Sequence, residues 1–124
     1  ILATTGEVLW VESEKQLDAV TALSGSGPAY AFYFMEAMTR AGVAMGLSAE
    51  QAHRLAVGTF VGASELARRS DEPPATLRER VTSKGGTTYA ALQSMERDGV
   101  GAAFERAMRA AEQRAHELGD EFGK

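Results

Sequence analysis

The sequence predicts an all-α domain of about six helices that forms a dimer and shares its hydrophobic core with a second copy of the chain. Apolar residues recur at helical spacing over nearly all of the chain after residue 13, and cap and turn residues separate the helices. The helix predicted over residues 29–45 is apolar around most of its circumference, so it must be covered on several sides. One chain of 124 residues has too little surface to cover so many apolar faces by itself.

The first predicted elements are one short strand and one amphipathic helix. Residues 8–11, VLWV, lie between polar residues and predict a strand. Because one strand cannot form a sheet, its partner must lie in a segment absent from this chain or in another copy. Residues 14–23 place Leu17, Val20 and Leu23 at three-residue spacing, which predicts a helix.

A break at residues 24–28, SGSGP, separates this helix from the apolar one. Ser26 is a candidate N-cap and Pro28 suits the first turn of the new helix, which is predicted to end near Gly46. That helix is short for a membrane span, and Glu36 near its centre argues against one. We therefore expect no membrane association.

The rest of the chain predicts four further helices. Ser48 and Gln51 have the spacing of a capping box, and the helix that they begin runs to about Arg69, where SDEPP stops it. The other helices are predicted over residues 75–81, 87–98 and 100–118.

Two glycine pairs at four-residue spacing, Gly42–Gly46 and Gly58–Gly62, lie within the apolar helices. Each interior glycine costs roughly 1 kcal/mol in helix propensity, so close approach of another backbone would offset that cost. For Gly46, a position at the end of a helix is an equally good explanation.

Composition excludes several classes of function. The formal charge is −4, from 13 basic and 17 acidic residues, so no basic field attracts nucleic acid. Cysteine is absent, which excludes disulfides and thiolate zinc sites and fits a cytoplasmic location. Residues 1–10 lack the basic start of a signal peptide. His53 and His116 lie on predicted helices without an arrangement typical of a metal site, so no metal is expected.

The loop in residues 81–91, VTSKGGTTYAA, carries more polar groups than a turn between helices needs. Gly85 and Gly86 allow positive φ and expose backbone N–H groups, which can form a concave anion site. The helix beginning near Thr87 adds unpaired N–H groups and the positive end of its dipole. Hydroxyls flank the glycines at Ser83, Thr87 and Thr88. The loop is thus either a site for a carboxylate or phosphate, or only a helix cap with a flexible turn.

Neither glycine-containing segment has the spacing of a nucleotide-binding motif. The GxxxxGK[ST] pattern is absent from the loop, where the lysine precedes the glycines. Gly25 and Gly27 have the spacing of the first two glycines of a dinucleotide fingerprint, but Tyr30 stands where the third would be. The segment before SGSGP is predicted to be a helix, not the strand that the fingerprint follows.

Two motifs at their separation in this chain closely resemble the C-terminal helical domain of pyrroline-5-carboxylate reductase. They are DAVTALSGSGPAYAFYFMEAMTRAGVAMGL, from residue 18, and VTSKGGTTYAAL, from residue 81. The likeness covers residues 6–118. It implies an intertwined homodimer that often assembles into decamers, and an enzyme that reduces 1-pyrroline-5-carboxylate to L-proline with NADPH or NADH. The nucleotide would lie on a Rossmann domain preceding this region.

The resemblance also implies roles for residues. The substrate carboxylate would lie against Ser83 and the backbone N–H groups of Gly85, Gly86 and Thr87, and the Thr88 hydroxyl would contact the ring nitrogen as the candidate catalytic group. Lys84 stands where many members have proline. The resemblance also places a partner-chain segment beside the pocket, and its residues are Ser24, Gly25, Ser26, Gly27 and Pro28.

Under this interpretation, residues 1–13 are the strand and linker left from a missing nucleotide-binding domain, and residues 14–124 form the helical dimerisation and substrate-binding domain. The chain alone should not turn over. Two alternatives remain: a non-catalytic helical association module whose Gly-Gly loop is only a cap, and a reductase of a different imine or hydroxy acid.

Overall fold

The computed structural model of the protein describes residues 2–4, 7–9 and 11–121 and confirms the all-α class. Within this part of the chain, six α-helices follow two short strands, and a π-helical turn, Thr21–Gly25, lies between the first two helices. The helices are α1 (Glu14–Val20), α2 (Gly27–Ala44), α3 (Ala49–Arg69), α4 (Pro74–Arg80), α5 (Thr87–Arg97) and α6 (Val100–Glu121).

The prediction of a single strand without a partner is wrong. The structure has two strands, β1 (Leu2–Thr4) and β2 (Glu7–Leu9), which pair antiparallel with Leu2 opposite Leu9. The prediction missed β1 because three residues are too few for an alternating pattern to be recognised. Trp10, within the predicted strand, lies outside the described residues.

The helical chain divides into two compact units, residues 1–30 with 99–124, and residues 31–98. In the first unit, α6 packs against α1 and the π turn. Ser13 caps α1 by accepting a hydrogen bond from the Gln16 N–H. The buried carboxylate of Asp18 on α1 lies 3.5 Å from Nδ1 of His116 on α6, whose Nε2 lies 3.2 Å from Asp120.

In the second unit, α2 and α3 meet at a close backbone contact. Gly42 is buried, and a Cβ added to it would lie 2.9 Å from the Cβ of Ala52. The chain turns at Gly46, where φ is +107°, and α3 begins with the predicted capping box of Ser48 and Gln51. Gly42 therefore does allow close approach, whereas Gly46 ends the helix.

The other glycine pair, Gly58 and Gly62, has no such contact with the residues that the structure describes. A Cβ on Gly58 or Gly62 would meet no atom within 4 Å in the part of the chain that the structure describes.

Farther along α3, the guanidinium groups of Arg68 and Arg69 hold the pKa of the Glu65 carboxyl below its usual value.

The described residues form only a thin hydrophobic core. The apolar residues classed as buried there are three alanines, Ala22, Ala52 and Ala56, and no large side chain is fully buried. By contrast, Phe32 and Tyr33 on α2 are each 64% exposed. None of the helices in this part of the chain combines the length and apolar character that a membrane crossing requires.

Candidate functional site

The polar loop begins where α4 ends. Two hydrogen bonds from Thr82 close the last turn of this helix: its N–H donates to the Glu79 carbonyl at 3.1 Å, and its hydroxyl donates to the Arg78 carbonyl at 2.6 Å. Thr82 therefore donates both its N–H and its hydroxyl hydrogen to the end of this helix. The five predicted binding residues follow immediately after it, at positions 83 and 85–88.

Residues 83–86 form a tight turn. The Gly86 N–H donates to the Ser83 carbonyl at 2.9 Å, and Gly85, the third residue, has φ +78°. These are features of a type II turn, which requires positive φ at its third position and favours proline at its second. Lys84 occupies that second position, so the turn lacks the fixed φ that a proline would supply.

The two glycines meet different requirements. Only Gly85 has the positive φ that a side chain opposes. Gly86 has φ −89° and ψ −172°, an extended conformation open to any residue, and a Cβ there would lie 3.2 Å from the Ser83 carbonyl oxygen. Gly86 therefore does not use the positive φ that a glycine allows, and what restricts this position is space beside Ser83.

The amino end of α5 supplies N–H groups directed out of the helix. Gly86 is the N-cap residue, with no side-chain capping bond, and its carbonyl accepts the first helical bond from Ala90. Among the described residues, no acceptor lies within hydrogen-bond range of the Thr87 or Thr88 N–H groups. The hydroxyls of Ser83, Thr87 and Thr88 are exposed and likewise have no partner within the described residues.

These groups together form a site suited to a small anion. Unpaired N–H groups at a helix start attract negative charge, and the hydroxyls can donate beside them. One predicted donor is already committed, because the Gly86 N–H makes the bond that closes the turn. The N–H groups that remain for a ligand include those of Gly85, Thr87 and Thr88.

The SGSGP segment, residues 24–28, lies in the first unit, whereas the loop lies in the second. Ser24 and Gly25 end the π turn, Ser26 follows it, and Gly27 and Pro28 begin α2. Ser26 precedes α2 as predicted, but its φ of −87° and ψ of −11° are helical, unlike an extended N-cap. The sequence analysis missed the π turn, since one extra residue in a helical turn leaves no recognisable periodicity.

His116 has more polar contacts than the sequence indicated, since it lies beside two carboxylates, Asp18 and Asp120. The spacing of Asp120, four residues on, could have been read from the sequence, but Asp18 is brought near only by the fold. Over the described ranges, no cluster of three or more His, Cys, Asp or Glu residues could hold a metal ion.

Comparison with known proteins gives one consistent answer. Residues 14–118 match the family model for pyrroline-5-carboxylate reductase dimerisation. A pyrroline-5-carboxylate reductase of Pseudomonas aeruginosa is 50% identical over all of this chain and 45% of its own length. That of Corynebacterium melassecola is 45% identical over 96% of the chain and 44% of its own length.

Solved structures similar to this chain belong to the same kind of enzyme. A pyrroline-5-carboxylate reductase from Coxiella burnetii superimposes with a TM-score of 0.87 at 43% identity, over 91% of this chain and 42% of its own. The Plasmodium falciparum pyrroline carboxylate reductase, with NADP bound, gives a TM-score of 0.82 at 36% identity, over 87% of this chain and 43% of its own.

The chain spans less than half the length of these relatives, and the matched portion is their C-terminal part. The matching family model covers the SGSGP segment, the close contact of α2 with α3, and the loop before α5. The chain therefore belongs to the pyrroline-5-carboxylate reductase dimerisation family.

Proposed function

We propose that this chain is the dimerisation and substrate-binding part of an enzyme that reduces 1-pyrroline-5-carboxylate to L-proline with NADPH or NADH. The family match and the names of the relatives support this proposal. Residues 14–124 would form the helical domain, and residues 1–13 would lead into it from a nucleotide-binding domain. The enzyme would act in the cytoplasm, in the biosynthesis of proline.

The observation that carries the proposal is the turn at Ser83–Gly86 followed directly by the start of α5. It leaves the N–H groups of Thr87 and Thr88, and three exposed hydroxyls, without acceptors in the part of the chain that is described. A substrate carboxylate placed there would receive hydrogen bonds from backbone groups already held by the turn, at little cost in ordering. The Thr88 hydroxyl would then orient the ring nitrogen of the imine. Its role is orientation, because a threonine alone is a poor general acid.

The nucleotide cofactor would supply the hydride, but the described residues do not fit it. The SGSGP segment follows a helix and a π turn, not a strand, and Tyr30 replaces the third glycine of a dinucleotide fingerprint. We therefore expect no NAD(P)H oxidation by this chain alone with pyrroline-5-carboxylate. Turnover proportional to the concentration of the isolated chain would contradict this expectation.

Dimerisation would complete the site. The SGSGP segment of a second copy would lie beside the loop and close the substrate pocket, and such dimers would assemble further into decamers. The exposure of large apolar side chains such as Phe32 and Tyr33 in the single chain supports a partner chain that covers them.

The test is Gly86→Val in the full-length enzyme. The new side chain would start 3.2 Å from the Ser83 carbonyl, at the point where α5 begins, and should abolish binding of pyrroline-5-carboxylate while the dimer persists. The matched control is Gly101→Val, because a Cβ on Gly101 meets nothing within 4 Å in the described residues. The Kd for NAD(P)H, measured by direct binding, should change little in either variant.

The alternatives give different outcomes. Near-normal pyrroline-5-carboxylate kinetics in Gly86→Val would show that the loop is only a helix cap. An unmodified enzyme that ignores pyrroline-5-carboxylate but reduces another imine or a keto acid would move the proposal to a different reductase.

A further inference from the structure

The helix that precedes the SGSGP segment changes its hydrogen-bond register at the π turn. The Ser26 N–H donates to the Thr21 carbonyl, five residues back, at 2.9 Å. In an α-helix the same N–H would donate to the Ala22 carbonyl. Single π turns are rare and occur frequently at functional sites. The π turn therefore leaves the Ala22 carbonyl without the backbone N–H that would donate to it in an α-helix.

Tyr30 supplies the missing donor. Its hydroxyl donates to the Ala22 carbonyl at 2.6 Å, although eight residues separate the two. Ala22 is only 3% exposed, so without Tyr30 its carbonyl would be a buried acceptor without a partner. The phenol thus satisfies the Ala22 carbonyl, which the π register leaves without a backbone donor.

The ring of Tyr30 is itself held in place from the last helix. It meets the ring of Phe104 on α6 edge to face, with centroids 5.2 Å apart and planes at 88°. Tyr33, three residues on, offers a contrast. It is 64% exposed, and its hydroxyl has no hydrogen-bond partner among the residues described.

We propose that Tyr30 is a positioning residue for substrate binding: its hydroxyl holds the π turn, and the π turn sets the direction in which residues 24–28 leave the first helix. Losing the hydroxyl would favour the α register, in which the Ser26 N–H satisfies Ala22. The residues after Ser26 would then rotate around the helix axis by the angle that one helical residue spans, about 100°. This inference rests on the proposed function, in which the SGSGP segment forms one wall of the pocket.

The test compares Tyr30→Phe with Tyr33→Phe in the full-length enzyme. Tyr30→Phe keeps the ring against Phe104 and removes only the hydroxyl. We expect its KM for pyrroline-5-carboxylate to rise about tenfold, with kcat and the KM for NAD(P)H changed by less than about twofold, on the scale of one buried hydrogen bond. Tyr33→Phe keeps the ring that a partner chain would cover and removes a hydroxyl that has no partner among the described residues, so the same three constants should stay within about twofold of those of the unmodified enzyme.

A second readout follows the backbone directly. Hydrogen exchange or the NMR shift of the Ser26 amide should change in Tyr30→Phe and not in Tyr33→Phe. If Tyr30→Phe does not fold, Phe104→Leu provides a second variant, which keeps the Tyr30 hydroxyl but loosens the packing of its ring. In this variant the KM for pyrroline-5-carboxylate should rise by less than about tenfold. Folded variants with unchanged KM for the imine would overturn the proposal, as would equal losses in kcat and in NAD(P)H binding.

Failure of the proposed function can be told apart from failure of this inference. If the unmodified enzyme does not reduce pyrroline-5-carboxylate, the proposed function fails. In that case a changed Ser26 amide in Tyr30→Phe would support the role in the π turn, and an unchanged amide would overturn it.

Discussion

Adjacent residues in the loop before α5 differ in what they need from glycine. The loop could be located from the sequence because hydroxyls, glycines and a helix start are local features, and its role in binding stays a prediction. The sequence could not distinguish Gly85 from Gly86, because the difference lies in one turn hydrogen bond and one φ angle. The prediction also counted the Gly86 N–H as a ligand donor, whereas the structure uses that group to close the turn.

At the same scale, Thr88→Ala tests the orienting hydroxyl. Thr88 is exposed at the second position of α5, and its hydroxyl has no partner among the described residues. Removing it leaves the turn and the backbone N–H groups intact. In the full-length enzyme, we expect kcat/KM for pyrroline-5-carboxylate to fall by roughly 10- to 100-fold, the effect of losing about 1.4–2.7 kcal/mol of hydrogen bonding.

Thr88→Ser is the matched control for that prediction, because it keeps the hydroxyl and removes only a methyl group. Steady-state kinetics should show most of the activity restored, and the KM for NAD(P)H should be unaffected in both variants. Equal losses in the alanine and serine variants would indicate that the methyl group, not the hydroxyl, matters at this position.

Among the elements, the helices were predictable wherever a local signal marks their ends. The capping box at Ser48 and the pair Pro73–Pro74 both lie where the structure begins a helix. The π turn was not predictable, because one extra residue in a helical turn leaves no recognisable periodicity, and the Tyr30 hydroxyl that bonds the Ala22 carbonyl lies eight residues farther on. The pairing of β1 with β2 was missed for the opposite reason, since three residues in each strand carry too little pattern.

The close contact of α2 with α3 depends on the missing side chain of Gly42. Gly42→Ala would place a methyl group 2.9 Å from the Cβ of Ala52, and that atom belongs to a rigid helix and cannot move aside cheaply. We expect a loss of about 1–3 kcal/mol in the free energy of unfolding, typical of overpacking, despite a gain in helix propensity. Chemical denaturation of the dimer measures it.

Gly101→Ala serves as the comparison for Gly42→Ala. It makes the same chemical change in a helix, at a position where a Cβ meets nothing within 4 Å in the described residues. Its stability should be equal to or slightly above that of the unmodified protein. If the two variants were equally stable, the close approach of α2 and α3 would have no energetic consequence.

For the whole molecule, the hydrophobic surface is the property that a single chain does not account for. The sequence predicted a dimer because α2 is apolar on nearly every side, and the single chain leaves many large side chains exposed, including Phe32, Val61 and Met45 at 64%, 64% and 79%. Stable monomers rarely expose contiguous apolar patches beyond a few hundred Å². The glycines of α3 that meet no neighbour, Gly58 and Gly62, offer a further surface on which a partner helix could pack closely.

The last prediction is that folding and dimerisation of this chain are one event. A core whose buried apolar members, in the described part of the chain, are three alanines cannot supply the several kcal/mol that a folded monomer needs, so the partner chain must supply it. We expect sedimentation at micromolar concentration to show a dimer, with an interface above roughly 2,000 Å² as in permanent complexes. The temperature of unfolding should rise with protein concentration, because mass action stabilises the associated state.

Phe32→Glu on α2 should abolish the dimer and the helical signal together, whereas Arg40→Glu, an exposed change on the same helix, should preserve both. A folded, helical monomer of Phe32→Glu, or an unfolding temperature independent of concentration, would show that each chain is stable alone.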